Sequence, residues 1–259
     1  MLLALDIGNT EITAGLFHGD TLVASWRLTT TADRTPDEWS AALGGFLLQR
    51  GHSPNEVRAV CYASVVPPVT GSLAEGVERA TGIRPVAIDA RTPLPVVLDV
   101  EEPGSVGADR VVNVLAAAER YATDVIVVDF GTATTFDCIT ADCHFIGGAI
   151  MPGLRTSADQ LTRKAAKLTA TELRAPQSAI ARNTEDNIRA GVMFGTVDAI
   201  DGMVRRIKAE WPSGRVPKVV ATGGLAVLVA PLSTTIEAVD RDLTLYGLRL
   251  AARHVGLAW

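Results

Sequence analysis

LLALDIGNT (residues 2–10) and VIVVDFGTA (residues 125–133) decide how this chain is read. Each runs an apolar strand into Asp, an apolar residue, Gly and a small polar residue, so Asp6 and Asp129 open the same structural phrase. A lone D-x-G marks an ordinary turn after a strand, because Asp and Gly both favour turns. Two copies, each followed by another strand and a short polar turn, point to a repeat. Around the first, LLALDI (2–7), ITAGLF (12–17) and TLVASWRL (21–28) are rich in β-branched and apolar residues, and Gly-Asn-Thr and His-Gly-Asp separate them. That pattern predicts a three-stranded meander. PDEWSAALGGFLLQRG (36–51) reads as a helix, with Pro36 in its first turn and Gly51 ending it. A strand VRAVCYAS (57–64), a helix from about Val69 to Thr81 and a strand PVAID (85–89) follow.

Around the second copy, VIVVDF (125–130), TTFDCIT (134–140) and HFIGGAI (144–150) are again three strands with short turns, and a helix follows Pro152-Gly153. A long helical stretch runs from about Thr184 to Glu210, KVVATGG (218–224) carries a strand into a Gly-Gly turn, and a final helix starts near Asp242. Both parts read β-β-β-α and then alternate, which predicts two α/β half-domains, 1–119 and 120–259.

Of the 259 residues, 47% are hydrophobic and 20% charged, the balance of a folded chain with a substantial core rather than of disorder. Lys and Arg total 24 against 29 Asp and Glu, a net charge of -5 that repels polyanions, so no nucleic-acid partner is expected. The opening MLLALDIGNT has no basic leader, and Asp6 interrupts its apolar run too early for a signal or membrane segment. Cys61, Cys138 and Cys143 leave an odd thiol under any pairing and form no C-x-x-C. A soluble, cytoplasmic protein in a reducing compartment, with no membrane partner, is the expectation. Cys138, Cys143 and His144 could hold a metal, but buried thiols in a strand-turn-strand segment explain them better.

A turn in which Gly follows Asp lets backbone N–H groups approach an anion, and Asn9, Thr10, Thr132 and Thr134 or Thr135 add uncharged donors. The pattern is a phosphate cradle built from two hairpins. Neither G-x-x-x-x-G-K-[ST] nor a helix-opening G-x-G-x-x-G occurs, which disfavours P-loop and dinucleotide folds. Phosphates bound by uncharged donors call for a cation, and Asp6 or Asp129 at a strand end can hold one. Gly223-Gly224 offers a bare backbone for a base or ribose, or simply a turn that starts a helix. Between the parts, Gly107-Ala108-Asp109-Arg110 opens an apolar-periodic helix. Asp109 is either an N-cap or the acceptor of a proton from a substrate hydroxyl attacking a γ-phosphate, with Arg110 binding an anionic group.

DIGNT (6–10), GADR (107–110), DFGTATT (129–135), GGAIMPG (147–153), ATGG (221–224) and DLTLYGL (242–248), in this order over nearly the whole chain, resemble type III pantothenate kinases. The resemblance implies a duplicated ribonuclease H-like (actin-like ATPase) fold with ATP in the cleft between the halves. It also implies phosphorylation of pantothenate at its primary hydroxyl, the first committed step of coenzyme A synthesis. Carried over by position, Asp6, Ile7, Gly8, Asn9, Thr10, Glu11, Ile12 and Thr13 form the first phosphate loop, with Asp6 on the magnesium side. Thr132 contacts ATP, Gly223 and Gly224 face the adenosine, and Asp129 binds a monovalent cation, potassium or ammonium. Asp109 is the catalytic base, and Gly107, Ala108, Asp109, Arg110 and Val100 bind pantothenate. Thr184 reaches pantothenate from the partner's side of a homodimer. In two places the chain departs from the family pattern. Val100 stands where some members have an aromatic residue, and Cys143 stands where a turn glycine is general. Two other readings share the fold: a non-catalytic accessory regulator of transcription, and a kinase of another small hydroxylated acid.

Overall fold

A computed structural model of the chain describes residues 1–165, 167–212 and 214–259. By contacts the chain forms two compact units, Met1–Ala116 with Leu243–Trp259, and Ala117–Asp242. The division therefore differs from a single cut at 119/120, because the C-terminal helix packs on the first sheet.

In the first unit β1 (Leu2–Ile7), β2 (Glu11–His18), β3 (Thr21–Thr29), β4 (Ala59–Ser64) and β5 (Val86–Ala87) form one sheet in the order β3-β2-β1-β4-β5. The meander is antiparallel, while β4 lies parallel to β1 and β5 parallel to β4. LLALDI is almost unbroken in its apolar character because both faces of β1 are covered. Leu3, Leu5 and Ile7 belong to a core with Trp39, Leu43 and Leu47 of α1 (Pro36–Gln49) and Val69, Leu73 and Val77 of α2 (Pro67–Thr81). A capping box starts α1: Glu38 N–H donates to Thr35 Oγ1 at 3.3 Å, and Thr35 N–H donates to Glu38 Oε2 at 2.8 Å. After a short extended β6 (Val97–Leu98) comes α3 (Ala108–Tyr121).

The C-terminal helix α7 (Leu243–His254) packs against β1, β2 and β4. Cys61 Sγ donates to Leu248 O at 3.6 Å, and burial pushes this thiol up to about 12, so Cys61 is an inert core residue. Gly247 lies so close to Val112 of α3 that a Cβ there would run into the Val112 carbonyl.

The second unit repeats the plan. Its strands β7 (Val125–Phe130), β8 (Ala133–Ile139), β9 (His144–Pro152), β10 (Lys218–Thr222) and β11 (Ala238–Val239) run in the order β9-β8-β7-β10-β11. The first three are antiparallel, and the last two join parallel to β7. This is the order and the sense of the first sheet. Ile126, Val128, Phe136 and Cys138 pack with Met193, Val197, Ile200 and Val204 of α5 (Thr184–Ala209), which follows α4 (Leu154–Lys164). The short α6 (Ala226–Val229) follows the Gly-Gly turn. Among the described residues no helix is long and apolar enough to cross a membrane.

Cys143 takes φ +66, the left-handed conformation that a turn glycine would adopt, and its N–H donates to Thr140 O at 3.0 Å. The turn therefore keeps its glycine geometry with a cysteine in it, at the steric cost of a Cβ. Burial, with Asp142 and Glu119 nearby, pushes the Cys143 thiol up to about 11.

Asp201 of α5 is a buried anchor. It accepts from Ser233 Oγ at 2.5 Å, Thr234 N at 2.8 Å, Thr234 Oγ1 at 2.6 Å and Thr235 Oγ1 at 2.7 Å. Burial alone would raise its pKa, but these donors outweigh it and hold the carboxyl at about 2. The folded state thus binds this proton less readily than the unfolded state. The resulting stability, about 2 kcal/mol, is complete above pH ~4 and is lost as pH falls toward ~2. Acid titration of Asp201→Asn, followed by circular dichroism, is expected to lack that component. An unchanged acid transition would contradict the anchor.

Candidate active site

The register places the two aspartates identically. Asp6 pairs with Thr13 on antiparallel β2 and with Ala63 on parallel β4, and Asp129 pairs with Thr135 on β8 and with Thr222 on β10. Each is half-buried at the C-terminal end of the central strand of its sheet, where the chain turns through D-x-G.

In the first loop Gly8 N–H donates to Glu11 O at 3.1 Å, and a Cβ on Gly8 would come 2.9 Å from that oxygen. Gly8, Asn9 and Thr10 form the turn. Ile7 and Ile12 point into the core, so any contact they make with a ligand is through backbone alone. Glu11 pairs with Arg27 at 3.3 Å, and Thr13 lies within β2.

The same unit brings the GADR segment to this end of the sheet. Val65, next after β4, donates its N–H to Ile7 O at 3.1 Å, and a Cβ on Gly107 would lie 3.5 Å from Val65 Cγ1. Val111 N–H donates to Gly107 O at 3.1 Å, so Gly107 holds the N-cap position of α3 and Asp109 the second helical position. The N-cap reading of Asp109 is thereby corrected by two residues: Gly107 fits there because a side chain would meet Asp109 Oδ1. Asp109 Oδ1 accepts from Arg110 N–H at 2.8 Å. Burial raises the Asp109 pKa, and it outweighs the hydrogen bond and charge of Arg110, which lower it. Ala108 is buried, Arg110 is partly buried beside Asp109, and Val100 is half-buried between β6 and α3.

In the second unit Gly223 leaves β10 with φ +87, and a Cβ there would run into Asp129 Oδ1 and lie 2.7 Å from Phe130 N. Only glycine lets the two turns lie this close. Gly224 follows in the same turn. Thr132 is exposed in the second hairpin, where Gly131 N–H donates to Ala133 O at 3.0 Å. Thr184 is exposed as the first residue of α5, after the N-cap Asn183, whose Oδ1 accepts from Asp186 N–H at 2.9 Å. Among the described residues no hydrogen bond links Thr184 to the Asp129 turn.

Glycine-lined backbone and a half-buried carboxylate recur at both turns, and these are the parts that phosphate and a hard cation need. Sequence reasoning missed two residues that fasten the turns, Thr30 and Thr156, since each acts across many residues and neither lies in a recognisable motif.

The fold is that of the actin-like ATPase and sugar-kinase class. A solved Sinorhizobium meliloti protein assigned as a 2-dehydro-3-deoxygalactonokinase superposes with a TM-score of 0.60 at 15% identity, covering 100% of both chains. Residues 2–206 match the family described as type III pantothenate kinase. The Thermomicrobium roseum type III pantothenate kinase is 45% identical over 251 residues, 97% of this chain and 96% of that one. Its Geobacter sulfurreducens counterpart is 44% identical over 250 residues, 96% of this chain and 97% of that one. The chain belongs to the type III pantothenate kinase family, and with it to the enzymes that use ATP together with a divalent metal.

Proposed function

We propose that this chain transfers the γ-phosphoryl group of ATP to the primary hydroxyl of pantothenate, opening coenzyme A synthesis. The observation that carries the mechanism is Asp109, a carboxylate in the first turn of α3 whose proton affinity burial has raised. A base is most useful when its pKa approaches the working pH, and such a group typically contributes about a hundredfold or more. Asp109 takes the hydroxyl proton as the oxygen attacks. Arg110, with Gly107, Ala108 and Val100, receives the substrate and its carboxylate.

Asp6, Ile7, Gly8, Asn9, Thr10, Glu11, Ile12 and Thr13 hold phosphates, mainly through the Gly8–Thr10 backbone. Thr132 adds a second phosphate contact, and Gly223 and Gly224 pass beneath the adenosine. Magnesium belongs on the Asp6 side, where it would neutralise phosphate charge. Asp129, next to Gly223, takes the monovalent cation, potassium or ammonium. Thr184 is read as the contact a second copy makes in a homodimer. Since phosphoryl transfer depends on positioning and charge neutralisation, each of these roles concerns placement rather than covalent chemistry.

Initial rates of ADP release with pantothenate, simple sugars and other hydroxy acids test the proposal, with pantothenate expected to be preferred by at least tenfold. Equal rates with a sugar would reject it. For Asp129, replacing potassium by sodium is expected to slow the wild type, and Asp129→Asn is expected to be insensitive to the exchange. A variant that still responds to potassium would remove Asp129 from that role.

A further inference from the structure

Each turn is fastened from outside its hairpin by a threonine that no sequence motif marks. In the first unit Thr30, the residue after β3, donates Oγ1–H to Gly8 O at 2.6 Å and its N–H to Thr10 O at 3.0 Å. In the second unit Thr156, in the first turn of α4, donates Oγ1–H to Thr132 O at 2.6 Å. Gly153 N–H donates to the same oxygen at 3.2 Å, and a Cβ on Gly153 would run into it. No side chain caps α4, so the Thr156 hydroxyl is spent on the turn and not on its own helix.

We propose that Thr30 and Thr156 are paired positioning residues that lock the peptide planes of the two phosphate loops and so set the affinity for nucleotide. In a trans peptide the C=O and the following N–H point in opposite directions, and among the described residues no peptide bond is cis. Drawing Gly8 O toward Thr30 therefore turns the Asn9 N–H to the other side, and drawing Thr132 O toward Thr156 does the same for the Ala133 N–H. A carbonyl facing phosphate repels it, whereas an N–H binds it. An unrestrained loop samples both orientations, and each hydroxyl removes the unfavourable one before ligand arrives. The two locks are equivalent in chemistry although one comes from a strand end and the other from a helix, and they hold successive peptides of the repeated phrase, Gly8–Asn9 in the first turn and Thr132–Ala133 in the second.

This inference rests on reading the two turns as phosphate loops. The test compares wild type, Thr30→Val, Thr156→Val and the corresponding serine variants in full-length protein, measuring MgATP affinity by calorimetry, KM for each substrate and thermal midpoint. Each valine variant is expected to bind nucleotide about tenfold more weakly. Its KM for pantothenate should stay within about twofold, and serine, which keeps the hydroxyl, should restore affinity. Valine variants that bind like wild type, serine variants as weak as valine, or a valine variant that does not fold would each overturn the proposal. Wild-type protein that binds MgATP but transfers nothing to pantothenate would instead reject the substrate reading, while nucleotide affinities still decide the role of the threonines.

Discussion

Replacement of Asp109 by Asn is expected to lower kcat by at least about a hundredfold with little change in ATP affinity or thermal midpoint. The amide oxygen of Asn can still accept from Arg110 N–H, so the start of α3 keeps its hydrogen bond and only the proton acceptor is lost. The same carboxylate sets a pH dependence. Burial favours its protonated form, so its pKa lies above the ordinary value of 3.8, and the base is competent only after that proton leaves. kcat/KM should therefore rise with pH through a limb displaced upward from the usual carboxylate range, and Asp109→Asn should lack that limb. Raised pKa also means that ionised Asp109 costs folding free energy, so this residue works against stability as pH rises through its titration. A variant retaining activity within a few-fold of wild type would take the base role away from Asp109.

The second large effect is expected at Gly223. An Ala there must adopt φ +87 and place its Cβ against Asp129 Oδ1 and 2.8 Å from Phe130 C. Left-handed backbone costs an L-residue about 1–2 kcal/mol, and overpacking against backbone adds about 1–3 kcal/mol. Gly223→Ala should lose roughly 2–5 kcal/mol in denaturant titration, and the displaced Asp129 should also abolish the response to potassium. Gly19→Ala is the control. Gly19 also has positive φ, +56, but a Cβ there meets nothing within 4 Å, so only the backbone cost of about 1–2 kcal/mol should appear. Equal losses at the two positions would mean that the approach of Gly223 to Asp129 is not the constraint.

Much of this molecule was legible because its central strands are apolar on both faces and end in the same turn. LLALDI and VIVVDF become β1 and β7 with no shift at either end. The helix expected from Thr184 to Glu210 is α5, Thr184–Ala209, since its apolar spacing and the Asn183 cap are local signals. What escaped was what acts over distance. That α7 belongs with the first unit depends on Gly247 lying against Val112 and Cys61 reaching Leu248, contacts that leave no periodicity near residue 243. Thr30 and Thr156 were invisible for the same reason. Asp109 drew two readings, and its N-cap reading placed the cap two residues late, because Asp and Gly are both acceptable N-caps and only the Val111 to Gly107 hydrogen bond separates them. Cys143 shows that a motif departure can leave geometry intact: the turn remains left-handed without its glycine.

The most direct measurement incubates the purified chain with pantothenate, MgATP and potassium and identifies the product by mass spectrometry and phosphorus NMR. The account predicts one phosphate ester on the primary hydroxyl, formed in step with ADP and nearly absent with Asp109→Asn. ADP formed without phosphopantothenate, or no turnover by the folded wild-type protein, would contradict it.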